Sequence, residues 1–255
     1  MFSYKESLNR SIKAFDKIYK SSLLCTTQTP LECDDILEFV NCQVLPPTKE
    51  VKLKIATQAA GCDLSTDSET LCSIVDSCLE AELVGKTTKQ VNTKTSRFGL
   101  FNTYSRNLLG SKAMDGIQAL AKIACYLSKD ISFSISIQEL ERYANKEKIN
   151  SDIIETLKAT KLLIKRGNNI SFRHEMFFYA YLAESIIRQA DNCDESILEA
   201  LNDPRNNGCK GFVIGGIDNT SVLEKVLKKV TDTQTFALCI AGECGQYACF
   251  HIKSR

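Results

Sequence analysis

Apolar residues recur along most of the chain at the three-to-four-residue spacing of amphipathic helices. The first such pattern predicts a helix at residues 4–24. Its inward stripe consists of Leu8, Ile12, Phe15, Ile18 and Tyr19. A short extended segment is expected at residues 39–45. The pair Pro46-Pro47 follows it and ends it. Thr48 then has the position of an N-cap for a helix that ends before Gly61.

The next patterns predict two further helices and a loop. The helices are expected at residues 68–83 and 98–109, and a polar loop at residues 85–95 lies between them. The pair Gly110-Ser111 follows the second helix and is the clearest candidate for a domain boundary.

The residues after this boundary predict three helices followed by a hairpin. The helices are expected at residues 114–127, 136–143 and 151–161. Ser136 and Glu139 have the spacing of a capping box at the start of the second helix. Two β-prone runs around a Gly-Asn turn, at residues 162–173, predict the hairpin. This order is that of a winged helix-turn-helix domain.

The last part of the chain is also expected to be helical. A long helix is predicted at residues 174–189, and further short helices at residues 195–250, with a turn at 203–208. The segment 236–242 is small and apolar on all sides, which favours several neighbouring helices, as in a stack of helical hairpins. The sequence therefore predicts a mainly α fold with one β-hairpin.

The charge balance excludes a strong general attraction to nucleic acid or to anionic membranes. The 255 residues include 32 Lys and Arg against 31 Asp and Glu, a formal net charge of +1. The apolar runs are too short to span a bilayer, and the first residues lack the apolar core of a signal peptide. We therefore expect a cytoplasmic protein without membrane contact.

Twelve cysteines are present, but none forms a CxxC pair, and only His174 and His251 could add imidazole ligands. The spacing therefore predicts no zinc site. We expect reduced cysteines, most of them buried as small apolar side chains. A catalytic cysteine, either Cys125 or Cys249 activated by a histidine, is a further alternative, for which the spacing indicates no pair.

Residues 84–88, Val-Gly-Lys-Thr-Thr, are similar to the end of a phosphate-binding loop. That loop requires a glycine five residues before Gly85, where this chain has Glu80, whose carboxylate would repel phosphate. The preceding residues predict a helix instead of a buried strand, and no aliphatic run ends in an aspartate that could bind magnesium. We therefore expect no catalytic residues, and no ATP hydrolysis by this chain alone.

Residues 170–183 carry the most informative pattern, a β-prone run that passes through His174 into an aromatic-rich helix. Phe177 and Tyr181 are one helical turn apart and are expected to pack against the domain core. A histidine at the start of a helix can cap it. It can also donate a hydrogen bond to an anion, because helix N-termini favour negative charge.

This segment resembles the end of the winged-helix domain in STAND-class NTPases, particularly the NACHT group. The residues that carry the resemblance are Phe172, His174, Phe177, Tyr181 and Ala183. The family usually has an acidic residue and a second aromatic residue where Tyr179 and Ala180 stand. Weaker similarity covers residues 38–190. Residues 39–55 resemble the start of the family's lid, and residues 98–109 resemble the helix that leads from the lid to the winged helix.

The resemblance implies a helical lid at residues 1–110, a winged-helix domain at 111–190 and the start of a helical arm at 191–255. It also implies that His174 contacts the β-phosphate of bound ADP and helps to lock a closed, inactive state. Residues 1–37 are too few for the family's P-loop half, so we expect a fragment, a split product or a degenerate relative. ADP or ATP would bind only if another segment or chain supplies the P-loop domain.

Two functions of different classes remain. The first is a non-catalytic regulatory module that binds a protein partner and couples its nucleotide state to signalling or antiviral defence assembly. The alternative is a winged-helix DNA-binding regulator. Its contacts would come from Lys158, Lys161, Lys165 and Arg166. Asp152 and Glu155 lie near the start of the same helix and would repel DNA phosphates, which favours the first function.

Overall fold

Short helices form the first part of the described chain. The computed structural model describes residues 45–92, 94–130 and 132–254. The helix predicted at 4–24 lies outside these residues, as does the extended segment at 39–45 apart from its last residue. The helices of this first part are α1 (Lys49–Ala60), α2 (Thr66–Ile74), α3 (Cys78–Lys86) and α4 (Arg97–Leu109).

Local sequence signals set the ends of helix α1 as predicted. The Thr48 hydroxyl accepts a hydrogen bond from the backbone N–H of Val51 and caps the helix. Gly61 ends it in the left-handed conformation, with a φ of 66°. The helix predicted at 98–109 is likewise present as α4, which begins one residue earlier.

The single helix predicted at residues 68–83 is wrong, because the chain forms α2 and α3 there. Val75 adopts an extended conformation after α2, and Ser77 starts a new helix. The Ser77 hydroxyl accepts from the backbone N–H of Glu80, whose carboxylate accepts from the backbone N–H of Ser77. This complete capping box outweighs the continuous apolar periodicity.

The middle of the chain folds as a winged helix-turn-helix. A 3-10 turn at Gly110–Lys112 leads into α5 (Ala113–Lys129), β1 (Ser134–Ser136), α6 (Ile137–Lys146), α7 (Ser151–Ala159), β2 (Leu163–Arg166) and β3 (Asn169–Phe172). The strands form one antiparallel sheet in the order β1-β3-β2. Ile135 lies opposite Ile170, Leu163 lies opposite Phe172, and all four side chains are buried. Gly167, with a φ of 61°, allows the tight turn of the predicted hairpin.

Strand β1 is the element that the sequence does not predict. Its three residues are too few to show a pattern, and they form a strand through their pairing with β3. Of the two hydrogen bonds of the capping box predicted for Ser136 and Glu139, the structure has one. The Ser136 hydroxyl caps α6, but the Glu139 carboxylate accepts a hydrogen bond from the Tyr126 hydroxyl at 2.6 Å.

The last part of the chain is a stack of helices in two layers. Its elements are α8 (Glu175–Ala190), α9 (Asp194–Asn202), a 3-10 segment (Pro204–Cys209), α10 (Lys210–Gly215), α11 (Thr220–Lys229), α12 (Thr233–Ala241) and α13 (Gln246–Lys253). Helix α10 contacts both α8 and α12, and α11 contacts both α9 and α13. This alternation is the arrangement of helical-repeat proteins. None of the helices in the described ranges is long and apolar enough to cross a bilayer.

Aromatic side chains join the first helices to the last ones. The Phe101 ring of α4 packs edge-on against Phe177 of α8, with 4.9 Å between ring centroids. The same ring packs against Phe212 of α10 at 5.5 Å. The span Pro46–Arg255 forms one compact unit. The division into three domains at residues 110 and 190 stays a prediction.

A buried ion cluster at Arg97 joins the beginning and the end of this unit. The guanidinium donates to both carboxylate oxygens of Glu80 in α3, with 2.9 Å between Nη2 and Oε2, and to the Glu243 carboxylate after α12. The backbone N–H of Arg97 donates to the carbonyl oxygen of Glu243 at 3.0 Å. Asp76 lies at the edge of the cluster, 3.9 Å from Nη2. One side chain therefore holds α3 and the α12–α13 connection to the start of α4.

The two carboxylates that share Arg97 have opposite pKa shifts. Burial disfavours the charged form of Glu80, but the hydrogen bonds and charge of Arg97 outweigh burial and lower its pKa below the ordinary value of 4.5. Burial raises the pKa of Glu243; Arg97 opposes this rise without cancelling it, and the Asp76 carboxylate adds to it. Glu80 is therefore the main counter-ion of Arg97.

We expect Glu80→Gln to lower the free energy of unfolding by about 3 kcal/mol at pH 7, because a buried guanidinium loses its main counter-ion. Glutamine keeps one oxygen as the acceptor of the capping box, and its NH2 group replaces the oxygen that accepts from Arg97, so the variant removes the charge and one acceptor together. The matched variant Glu243→Gln should cost less than about 1 kcal/mol, because burial already disfavours this charge. Urea unfolding followed by circular dichroism measures both values.

The same variants have distinct expected pH profiles. Because the folded-state pKa of Glu80 is lowered, its stabilising contribution is present above about pH 4.5 and is lost as the pH falls through the lower folded value. Glu80→Gln should remove this part of the acid destabilisation. Equal losses from the two variants at pH 7, or an acid profile that Glu80→Gln leaves unchanged, would contradict this assignment.

Candidate functional site

His174 lies where strand β3 ends and helix α8 begins. Its backbone is extended, and its Nδ1 accepts a hydrogen bond from the backbone N–H of Met176 at 3.2 Å. The side chain is therefore the N-cap of α8. An accepting nitrogen carries no hydrogen, so the proton of the neutral ring is on Nε2. Because His174 is exposed, this N–H donor is available beside the N-terminus of a helix.

An open cavity of about 540 Å³ lies against His174. Its polar lining includes Arg166, Asn169, Ser171 and Arg173, all from β2, β3 or the junction that follows. Aromatic rings form another part of the wall, among them Phe133 and Phe178. The hairpin, the end of β3 and the start of α8 thus combine cationic, hydroxyl and aromatic groups in one place.

The cavity carries more positive than negative charge. Arg166 is exposed, and Arg173 donates to the Tyr104 hydroxyl at 3.0 Å while its Nη2 lies 3.7 Å from a Glu82 carboxylate oxygen. Glu175, in the first turn of α8, adds a carboxylate to the lining. The Arg166 guanidinium and the His174 imidazole N–H can together bind an anion such as a phosphate, whereas the Arg173 guanidinium is shared with Tyr104 and Glu82.

The other residues of the family-like segment belong to the core. Phe172 stacks on Tyr181 with 6.0 Å between ring centroids, and the Tyr181 hydroxyl donates to the hydroxyl of Ser105 in α4. Burial raises the pKa of Tyr181, which stays a hydrogen-bond donor. Phe177 and Ala183 are fully buried. These side chains hold α8 onto α4, and in this way they position His174.

The residues of the DNA-binding alternative lie on α7, after it and on the hairpin. Lys158 is half-buried and donates to the Glu155 carboxylate at 2.8 Å. Asp152, near the start of the same helix, is paired with Lys112. The exposed members of the set are Lys161, Lys165 and Arg166. The outward side of α7 therefore presents carboxylates together with a neutralised lysine, which is an unfavourable surface for DNA phosphates.

The cysteines in the described residues form no disulfide bond. The buried ones are Cys72, Cys209, Cys239 and Cys244, and the exposed ones are Cys62, Cys78 and Cys193. Cys125 accepts a hydrogen bond from Gln189, and Cys249 donates one to the carbonyl oxygen of Ile240, both at 3.5 Å. Neither thiol is hydrogen-bonded to a histidine. Within the same ranges no group of His, Cys, Asp and Glu residues could hold a metal ion.

Residues 84–88, which are similar to the end of a phosphate-binding loop, lie at the end of helix α3. Gly85 is helical and allows α1 to approach closely: a Cβ atom at this position would be 2.1 Å from the carbonyl oxygen of Ala56. Thr87 is buried, and its hydroxyl donates to the carbonyl oxygen of Leu83 at 2.8 Å. This glycine therefore serves helix packing, and the polar loop predicted from residue 85 starts later.

Comparison of the chain with models of known protein families, with curated proteins and with solved structures finds no match. The similarity to NACHT-type NTPases therefore rests on the sequence segment around His174. What that similarity implies about nucleotide and partners enters below as a proposal.

Most of the residues that line the cavity cannot be assigned to it from the sequence, and Phe133 and Arg173 show why. Phe133 precedes β1, and its half-exposed ring packs edge-on against Phe178 with 5.0 Å between centroids. Because the sequence does not predict β1, it cannot place Phe133 beside β3. Arg173 directly precedes His174. Its charge is the only indication in the sequence that it belongs to a site, because no periodic pattern indicates the direction of its side chain.

We expect Gly85→Ala to lower the free energy of unfolding by at least about 2 kcal/mol, because the added methyl group must push α1 away from α3. Gly99→Ala in α4 is the matched control. There the Cβ would be no closer than 3.3 Å to a side-chain methyl group of Thr95, and alanine favours a helix by up to about 1 kcal/mol. Urea unfolding measures both, and equal stabilities of the two variants would refute the close contact.

His174→Ala should lower the free energy of unfolding by about 1 kcal/mol, because it removes the N-cap of α8. His174→Asn should retain most of the stability, because the asparagine oxygen can accept the same backbone hydrogen bond. It would nevertheless remove the exposed imidazole donor. Thermal unfolding followed by circular dichroism distinguishes the two variants. If they lose stability equally, Nδ1 is not acting as the cap.

Proposed function

We propose that this chain is a non-catalytic regulatory module that packs against a P-loop NTPase domain of the NACHT kind. In this proposal it supplies the helical lid, the winged helix and the first helices of the arm, in the cytoplasm. The partner supplies the phosphate-binding loop and the magnesium ion. The module passes the nucleotide state of that partner to a signalling or defence assembly.

The observation that carries the proposal is the position of His174. Its Nδ1 is engaged by the backbone of α8, so Nε2–H is the remaining donor of an exposed side chain at the helix N-terminus. Arg166 and Arg173 line the same cavity. The terminal phosphate of a nucleoside diphosphate has several acceptor oxygens and a high negative charge, which suits these donors.

No bond is broken by this chain in the proposed role. The diphosphate is a shared ligand, held by the partner's P-loop on one side and by His174 on the other. A ligand that bridges two domains stabilises their closed arrangement. The stabilisation equals the difference between the free energies of ligand binding to the closed and open states. Replacement of ADP by ATP changes the phosphate next to His174, and with it the preferred arrangement.

The test is capture of a P-loop partner under defined nucleotide conditions. The tagged full-length chain is incubated with an extract of the cells it comes from, with ADP and magnesium, with adenylyl imidodiphosphate, or without nucleotide. We expect a P-loop NTPase to be captured at least about fivefold more with ADP than without, the lower end of typical coupling between sites. Quantitative mass spectrometry measures the ratio.

His174→Asp should abolish the ADP dependence of this capture, because its carboxylate keeps the helix cap, donates no hydrogen bond and repels phosphate. Lys129→Gln, an exposed charge change outside the cavity, is the matched control and should behave as the wild type. The proposal fails if no P-loop protein is captured, if capture is the same in all nucleotide conditions, or if His174→Asp has no effect on it.

A winged-helix DNA-binding regulator is the second candidate. Lys161, Lys165 and Arg166 support it, because they are exposed at the end of α7 and on the hairpin. Asp152 and Glu155 on α7 oppose it, as does the net charge of +1. We therefore rank DNA binding below the regulatory role.

A further inference from the structure

Two buried thiols are in contact at the end of helix α12. Cys239 lies in the last turn of α12, and Cys244 lies in the connection that leads to α13. Their exposed fractions are 0% and 5%. The Cys244 thiol donates a hydrogen bond to the Cys239 sulfur. A pair of thiols in contact can do what a single buried cysteine cannot, because one sulfur can form a bond to the other.

The backbone of the turn after α12 brings the two cysteines together. The N–H of Gly242 donates to the carbonyl oxygen of Cys239 at 3.1 Å, and the N–H of Glu243 donates to that of Leu238 at 3.2 Å. These two hydrogen bonds form a Schellman motif, with Gly242 in the left-handed conformation at a φ of 89°. The chain therefore folds back onto the last turn of α12, and Cys244 is the next residue.

The contact gives the two sulfur atoms different chemistry. It lowers the pKa of the Cys239 thiol below its ordinary value of 9.0, because a thiolate accepts the hydrogen bond from Cys244. The same hydrogen bond and burial raise the pKa of Cys244 well above that value. Burial alone acts on the other two buried thiols in the opposite direction to Cys239, since it raises the pKa of Cys72 to about 11 and that of Cys209 to about 12.

We propose that Cys239 and Cys244 form a modification site at which a hydroperoxide converts the two thiols to a disulfide. The Cys239 thiolate attacks one oxygen of hydrogen peroxide, and the O–O bond breaks. The hydroxide that leaves takes up the proton that Cys239 had released, which gives water and a sulfenic acid on Cys239. The Cys244 sulfur then attacks the Cys239 sulfur, the S–O bond breaks, and a second water leaves with the Cys244 proton. The two electrons lost by the thiols reduce the peroxide.

The disulfide closes a ring across the turn that carries Glu243. This turn is bound to Arg97 twice, through the Glu243 carbonyl oxygen and through its carboxylate. Helix α10 covers the thiol pair, because a Cβ atom on Gly211 would lie 3.9 Å from the Cys244 sulfur. Hydrogen peroxide is nearly as small as water and reaches such a site when the structure opens locally. Oxidation therefore modifies the connection that the ion cluster holds in place.

Oxidation of the reduced full-length chain with hydrogen peroxide tests this proposal. The thiols that remain are blocked with N-ethylmaleimide at several times, and peptides are identified by mass spectrometry. Trypsin releases residues 230–253 as one peptide with Cys239, Cys244 and Cys249, and cleavage after Glu243 separates Cys239 from the other two. We expect the Cys239–Cys244 disulfide to form at least about tenfold faster than Cys72 or Cys209 is oxidised, since one pKa unit changes the thiolate fraction about tenfold.

Two variants assign the roles of the sulfur atoms. Cys249→Ser is the matched control, because the Cys249 thiol donates to the carbonyl oxygen of Ile240 instead, and it should form the disulfide at the wild-type rate. In Cys244→Ser the hydroxyl can still donate the hydrogen bond but cannot form a disulfide. The reaction should then stop at the sulfenic acid of Cys239, which dimedone traps.

The proposal is overturned if the wild-type chain forms no Cys239–Cys244 disulfide, or if Cys72 and Cys209 are oxidised equally fast. It also fails if folded Cys244→Ser gives no dimedone adduct on Cys239. The wild-type rates need no substitution, so they decide the question even if serine at a buried position prevents folding. The two cysteines are not among the residues that line the His174 cavity, so these outcomes leave the nucleotide-linked role to its own test.

Discussion

The structure depends most on one guanidinium group that is withdrawn from water. Arg97 is the first residue of α4, and one of its carboxylate partners, Glu243, lies 146 residues further along the chain. Arginine suits this position because its planar fork can bind two carboxylates at once and stays charged. The neighbouring Ser96 adds a hydroxyl hydrogen bond to the carbonyl oxygen of Gly215 at 2.6 Å. A buried ion pair adds little net stability over apolar packing, but a misaligned one leaves a buried charge unpaired. We infer that this cluster sets the alignment of α3, α4 and the last helix pair.

The segment around His174 divides its residues between packing and chemistry. Phe172, Phe177 and Tyr181 face the core, where aromatic contacts and the hydroxyl bond to Ser105 hold α8 in place. His174 is the exposed residue of the segment, and it uses one ring nitrogen for the helix cap, so the other nitrogen has no part in the cap. A capping histidine has a fixed ring orientation, because a rotated ring would lose the backbone hydrogen bond. In the proposed role the donor direction would therefore be fixed before an anion binds, which would reduce the entropy lost on binding.

Local signals in the sequence predict much of the helical fold, and contacts between distant residues account for what is missed. Thr48 and Gly61 mark the ends of α1 correctly, since a cap depends only on residues within one turn. The break before Ser77 also has a local signal, a serine three residues before Glu80, but the apolar period continues across it and predicts one helix. Strand β1 has no such signal, because it exists through pairing with β3. For the site, His174 could be predicted from its place between a strand and a helix. The cavity could not, because Phe133 reaches it only once β1 is in place.

The cavity and the ion cluster are linked through one short helix. Arg173 in the cavity lies 3.7 Å from the Glu82 carboxylate, and Glu82 follows Glu80 by two residues in α3. Glu80 binds Arg97, which in turn binds Glu243 just before α13. Such a chain of contacts transmits a change only if one of its links has two stable arrangements. The Arg97 links are buried and multiply bonded, whereas the Arg173–Glu82 pair is partly exposed and long, so its two partners can separate at little cost. An anion that binds Arg173 competes directly with Glu82, which makes this pair the place where occupation of the cavity can first alter the contacts of α3.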